Sequence, residues 1–127
     1  MGLIILDTSV LIDQLRGNRA VVAMIDEHLA SGDQMGASLV TKVELIAGMR
    51  SHERRSVRML LDRLGWIDVT DPIAEDAGAL ARRYARSHPG IGVVDFVIAA
   101  TTRELEATLW THNIRHFPMF RGLRSPY

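Results

Sequence analysis

The run Leu3-Ile4-Ile5-Leu6 constrains this chain most. Four consecutive apolar residues are too few for a helix. With no polar alternation, they read as a strand covered on both faces. Such a strand lies inside a sheet with helices above and below it. Asp7-Thr8-Ser9 follow, all helix-capping types. Val10, Leu11 and Ile12 then begin a short helix that ends near Arg16-Gly17. The unit is strand, turn and helix, with an acid at the carboxyl end of the strand. Ligand sites of open α/β sheets lie at that end.

The rest of the chain repeats this grammar. Asn18 caps a second helix through Val21, Val22, Met24, Ile25 and Leu29, closed by Gly32. Met35 to Val40 reads as a second strand. Thr41 and Glu44 have capping-box spacing and start a third helix, which stops near Gly48. Ser51 with Arg54 begins a fourth, carrying the apolar stripe Val57, Leu60, Leu61 and Leu64, and Gly65 ends it. Trp66 to Val69 is a third strand. Asp71-Pro72 opens a helix over roughly Ile73 to Arg86, with Ala74, Ala77, Leu80, Ala81 and Tyr84 toward the core. Ser87 to Gly90 is a turn, after which Asp95 opens an apolar, small-residue helix reaching Leu105. Ala107 to Thr111 is a fourth strand, and Ile114 to Phe120 is irregular or a single helical turn. Short buried strands alternating with helices predict a three-layer α/β domain around a parallel sheet. All of residues 1–127 are read as one domain.

Composition limits the chemistry. With 47% hydrophobic residues the chain can build a real core, and its net charge of zero gives no global attraction to nucleic acid. The absence of cysteine removes disulfides, thiolate catalysis and cysteine metal sites. The start lacks a basic region and meets an acid at Asp7, unlike a signal peptide, and no apolar run approaches membrane-spanning length. A soluble cytoplasmic protein is the expectation, with no membrane partner.

Three acids occupy comparable places. Asp7 follows the first strand, Glu44 lies in the first turn after the second, and Asp95 opens the helix before the fourth. In a parallel sheet all three reach its carboxyl edge. Carboxylates brought together repel one another and need compensation. A hard divalent cation supplies it, and oxygen donors without a histidine or cysteine set favour Mg²⁺ or Mn²⁺ over zinc. Such a centre suits hydrolysis of a phosphodiester. From the residues alone a second reading stands beside this one: Asp7 and Asp95 as helix caps, Glu44 as a capping-box or surface acid.

Supporting groups are of two kinds. Thr8, Ser9 and Thr111 can bind a phosphate, orient a carboxylate or simply cap helices. Asn113, after the fourth strand, offers an uncharged amide to a metal-bound water or a phosphate oxygen, or else forms a turn. His112 and His116 are four apart but lack a third ligand, which makes zinc weak. The arginines cluster: Arg50, Arg54, Arg55, Arg58 and Arg63 near one helix, Arg82, Arg83 and Arg86 on another, and Arg115, Arg121 and Arg124 near the end. Beside a metal site, Arg54, Arg58 and Arg115 would clamp a nucleic-acid backbone. Without one they are a solvated face.

Taken together, Leu6-Asp7-Thr8-Ser9-Val10-Leu11-Ile12, Glu44-Leu45-Ile46-Ala47-Gly48, Asp95-Phe96-Val97-Ile98-Ala99-Ala100-Thr101 and Thr111-His112-Asn113-Ile114-Arg115-His116-Phe117 resemble the PIN-domain family. The likeness is close to the VapC-type toxins of bacterial toxin–antitoxin modules and covers nearly the whole chain. It implies a three-layer α/β/α PIN-like fold and an Mg²⁺-dependent (or Mn²⁺-dependent) endoribonuclease acting on structured cellular RNA such as tRNA or rRNA. It implies that Asp7, Glu44 and Asp95 are the acidic metal positions, and that Asn113 stands where the family often has a fourth acid. It also implies a homodimer and a small VapB-type antitoxin that occludes the site. In-line attack of water would leave a 5′-phosphate and a 3′-hydroxyl. The alternative is a PIN fold that binds RNA or protein without cleaving. A phosphoacceptor domain ranks lower, since that class pairs acids after the first strand and places a lysine near the last.

Overall fold

The computed structural model describes residues 2–127; Met1, the first residue of the expected domain, lies outside the described residues. The apolar run forms β1 (Leu3–Leu6), and the other strands are β2 (Gln34–Ser38), β3 (Gly65–Ile67) and β4 (Thr108–Trp110). They make one sheet in the order β3-β2-β1-β4, and every pairing is parallel. β1 is therefore interior, as its unbroken apolar character requires. Ile5 and Leu6 are fully buried and point to opposite faces.

Each face is covered. Ile4, Leu6, Met35 and Ala37 pack with residues of α1 (Thr8–Leu15), α2 (Arg19–Ala30) and α4 (Arg54–Arg63). Ile5 and Leu109 pack with α5 (Asp71–Tyr84) and α6 (Val93–Glu104). α3 (Leu39–Gly48) reaches both cores, through Leu45 on one side and Val40 on the other. The result is the expected α/β/α arrangement around a parallel sheet. Burying one Leu or Ile side chain of this kind contributes about 1.5–3 kcal/mol. Among the described residues, no helix is long and apolar enough to cross a membrane.

Several boundaries differ from the sequence expectation. β2 ends at Ser38, not Val40, because the Ser38 hydroxyl accepts the Val40 N–H at 3.2 Å and starts α3 there. Thr41 is consequently an interior helix residue, fully buried, and the Thr41–Glu44 capping box does not form. Gly65 begins β3 instead of only ending a helix. α6 opens at Val93 after Gly92, placing Asp95 at its third position. On α5 the buried residues are Ile73, Ala77 and Leu80, while Ala74 is exposed. Short 3₁₀ turns at Ser51–Glu53 and Ile114–His116 fill two irregular joints.

Two local features bear on stability and shape. Asn18 caps α2 as expected, its side chain accepting N–H groups of Ala20 (3.1 Å) and Val21 (3.3 Å). Asn18→Ala is expected to cost about 1 kcal/mol, read as a lower urea midpoint, while Asn18→Asp should hold the wild-type value. The tail after β4 wraps the outer edge of the sheet. Phe120 and Leu123 pack on the α5–α6 core and Tyr127 on the α1–α2 core. This covers an edge strand whose unpaired backbone groups would otherwise be open.

Candidate active site

Asp7 sits where β1 ends and α1 begins, yet its carboxylate does not cap the helix. It is 2% exposed, and Oδ2 accepts two hydroxyls, Ser9 Oγ at 2.8 Å and Thr111 Oγ1 at 2.7 Å. Each hydroxyl oxygen in turn accepts a backbone N–H: His112 to Ser9 (3.1 Å) and Asn113 to Thr111 (2.9 Å). An oxygen already holding an N–H directs its own proton elsewhere, here onto Asp7. The parallel register Leu6↔Trp110 brings these residues together, and the Asp7 N–H itself bonds the Trp110 carbonyl. A buried carboxylate held this way has its desolvation offset by fixed donors.

Asp95 is placed by the N-terminus of α6. Its Oδ2 accepts the Gly92 N–H at 3.3 Å and faces His116 Nδ1 at 3.1 Å. Burial pushes its pKa above the ordinary aspartate value; the Gly92 N–H and His116 pull it back, and the negative charge of Asp7 pushes it up further. Asp7 and Asp95 thus lie within electrostatic reach of each other at the carboxyl edge of the sheet.

Glu44 lies in the second turn of α3, not the first, and is exposed. Its Oε1 accepts the Thr8 hydroxyl at 2.5 Å, and Thr8 Oγ1 is 3.2 Å from Thr41 Oγ1. Thr8, the residue after Asp7, therefore links the start of α1 to the α3 acid. Thr111, expected to bind a phosphate or orient a carboxylate, has no accessible surface, and its hydroxyl donates to Asp7. Asn113 is exposed next to it, with Arg115 exposed two residues on.

The arginines divide differently from the expectation. Arg54 and Arg58 are exposed on α4, and Arg58 faces Asp62 at 3.9 Å. Neither lines the groove of about 190 Å³ beside Glu44, whose walls include Ile12, Arg16, Met49, Arg50 and Val57. Arg16 and Arg50 line this groove together with Glu44. Arg16 ends α1 and carried no motif signal, so sequence reasoning passed over it. His116 was weighed only as a zinc ligand, although its spacing from His112 placed it after β4, where Asp95 arrives.

The donor chemistry fits a hard divalent cation. Every hydrogen bond to these acids falls on one oxygen, Asp7 Oδ2, Asp95 Oδ2 or Glu44 Oε1, so the second oxygen of each carboxylate is unengaged among the described residues. Among the described residues, no three His, Asp or Glu side chains converge into a ready cage.

The family model for the PIN domain matches residues 4–119. The chain belongs to the PIN-domain family. It is 42% identical to Ribonuclease VapC19 of Mycobacterium tuberculosis over 97% of this chain and 98% of that one, and 42% identical to Ribonuclease VapC10 of the same organism over 98% and 93%. Among solved structures, a toxin–antitoxin complex from Klebsiella pneumoniae matches with a TM-score of 0.78 and 29% identity, covering 97% of each chain. Within the family, the chain falls in the VapC-type branch of toxins from toxin–antitoxin systems.

Proposed function

We propose that this chain is a metal-dependent endoribonuclease toxin, held inactive by a cognate VapB-type antitoxin and working as a homodimer. The observation that carries the reading is the set of three carboxylates, each anchored through one oxygen with the other unengaged. Its relatives bear the name ribonuclease, and the Klebsiella structure is of a toxin–antitoxin complex. Asp7, Asp95 and Glu44 would hold Mg²⁺, or Mn²⁺ with the same donors. A bound ion of this kind acidifies water and neutralises charge on a phosphoryl group. The chain supplies the rest. Ser9 and Thr111 hold Asp7 in one orientation, Thr8 ties Glu44 to the start of α1, and Asn113 offers an amide to the phosphate. Arg16, Arg50 and Arg115 supply positive charge to an RNA backbone, with Arg54 and Arg58 further along α4.

The test is cleavage of total cellular RNA by antitoxin-free protein in Mg²⁺ or Mn²⁺ against EDTA. Discrete metal-dependent fragments bearing 5′-phosphates are expected. Intact RNA in both metals, with RNA still bound, would favour the second reading, a PIN fold that binds without cutting. That reading draws on the absence, among the described residues, of a converged three-acid cage and on Asn113 at a position where an acid would add charge.

The arginine placement gives a separate expectation. Arg50→Ala should weaken RNA binding and lower the slope of log affinity against log salt by about 1. Arg58→Ala, engaged with Asp62 on an exposed face, should change the slope less. Binding titrations over a salt series compare the two; equal slopes would remove the groove from the RNA path.

A further inference from the structure

Near Asp7 two rings are stacked. The His112 and Tyr127 ring centroids are 5.6 Å apart with an interplanar angle of 26°. Asp13, on α1, locks the pair from behind. Its Oδ2 accepts the Tyr127 hydroxyl and lies 3.8 Å from His112 Nδ1. The His112 backbone N–H is bonded to Ser9, which also holds Asp7. The stack is therefore tied to the same hydrogen-bond system as the catalytic candidate. Tyr127 also packs on the α1–α2 core, while the His112 side chain stays 58% exposed and presents the open ring. Arg115 is exposed along the shallow cleft that His112, Asn113 and His116 line.

We propose that the His112–Tyr127 pair is a nucleobase-stacking subsite that holds one base of a single-stranded RNA segment beside the scissile phosphate. This rests on the ribonuclease reading above. Single-stranded RNA is recognised by splaying bases onto aromatic rings, and a π-face accepts any base. The surrounding charge selects for a base over a phosphate. Burial first, then the hydrogen bond and charge of Asp13 and the charge of Asp7, raise the pKa of Tyr127, so its hydroxyl keeps its proton. A phosphate over Asp13 is repelled, whereas a neutral base is not, and Arg115 stands further along for the phosphate that follows. A ring pair fixed by Asp13 loses little freedom when a base lands on it.

The experiment uses the full chain carrying Asp95→Asn, so that RNA survives, and short single-stranded RNA oligonucleotides with 2-aminopurine at successive positions. Binding is followed by anisotropy and stacking by quenching of the 2-aminopurine. One position is expected to be quenched on binding. His112→Ala and Tyr127→Ala should relieve that quench and weaken binding about tenfold. Tyr127→Phe, which keeps the ring and loses only the bond to Asp13, should retain most of the quench and controls for folding. Bound RNA with no quenched position, or a quench indifferent to both alanine variants, would overturn the subsite and leave the pair as a clasp for the tail. Failure of the ribonuclease reading has a different signature, no metal-dependent cleavage by the wild-type chain. Failure to bind any RNA would sink both.

Discussion

Asp95→Asn is expected to lower RNA cleavage about a hundredfold or more without destabilising the protein. The change keeps the shape and an oxygen that can accept the Gly92 N–H, but removes a charge from the proposed ion site. The stability half follows from the electrostatics. Burial, with Asp7 adding to it, raises the folded-state pKa of Asp95 above its unfolded value near 3.9. The folded state therefore binds this proton more tightly than the unfolded chain does. The stabilisation linked to that proton is complete below the unfolded pKa and is lost as pH rises through the folded one. At neutral pH the ionised carboxylate is a cost that asparagine removes. In EDTA the variant should melt at or above the wild-type temperature at pH 7, with the gap closing as pH falls through the acidic range. An inactive variant that also melts lower at neutral pH would mean that Asp95 serves the fold. Wild-type turnover in a folded, metal-saturated variant would remove it from the site.

Thr111→Val is the second large effect. Valine matches threonine in shape, so packing is kept while two hydrogen bonds go, the donor to Asp7 Oδ2 and the acceptor for the Asn113 N–H. Asp7 would then rely on Ser9 alone. Groups that orient a metal-binding carboxylate are worth about 10–100-fold in affinity or activity, and the rate should fall within that range. A buried group stripped of a partner costs about 1–3 kcal/mol, which urea unfolding would detect. Thr111→Ser, retaining the hydroxyl, should restore most of both. Because Thr111 has no accessible surface, RNA affinity should hold in every variant. A loss of affinity equal to the loss of rate would mean that the turn after β4 had moved, and a valine variant with wild-type rate and stability would make Ser9 sufficient.

The layers and the parallel sheet were legible because short apolar runs and capping residues are local signals. β1, the α1 turn and the Asn18 cap follow from neighbours in the chain. Three of the four expected catalytic positions, Asp7, Asp95 and Asn113, come to the carboxyl edge for the same reason, and Glu44 arrives through Thr8. The errors arose where two local signals competed. Ser38 and Thr41 both offer a cap, and only the packing of Thr41 beneath Thr8 decides between them. Gly92 and Asp95 both mark a helix start, and the glycine takes it because Asp95 caps from the third position. What was not legible spans long separations. Ser9 and Thr111 were weighed as carboxylate orienters among other roles, but their joint hold on Asp7 needs strands β1 and β4 to be neighbours. No periodicity announces His116 against Asp95, Arg16 beside Glu44 or Tyr127 against Asp13, since each pairing depends on how loops close over the sheet.

The bond between Thr111 and Asp7 joins residues 104 positions apart. On a ribosome, which extends a chain at about 5–20 residues per second, Thr111 is added roughly 5–20 seconds after Asp7. Until β4 leaves the exit tunnel and docks against β1, the nascent chain carries the acids without the scaffold that aims them.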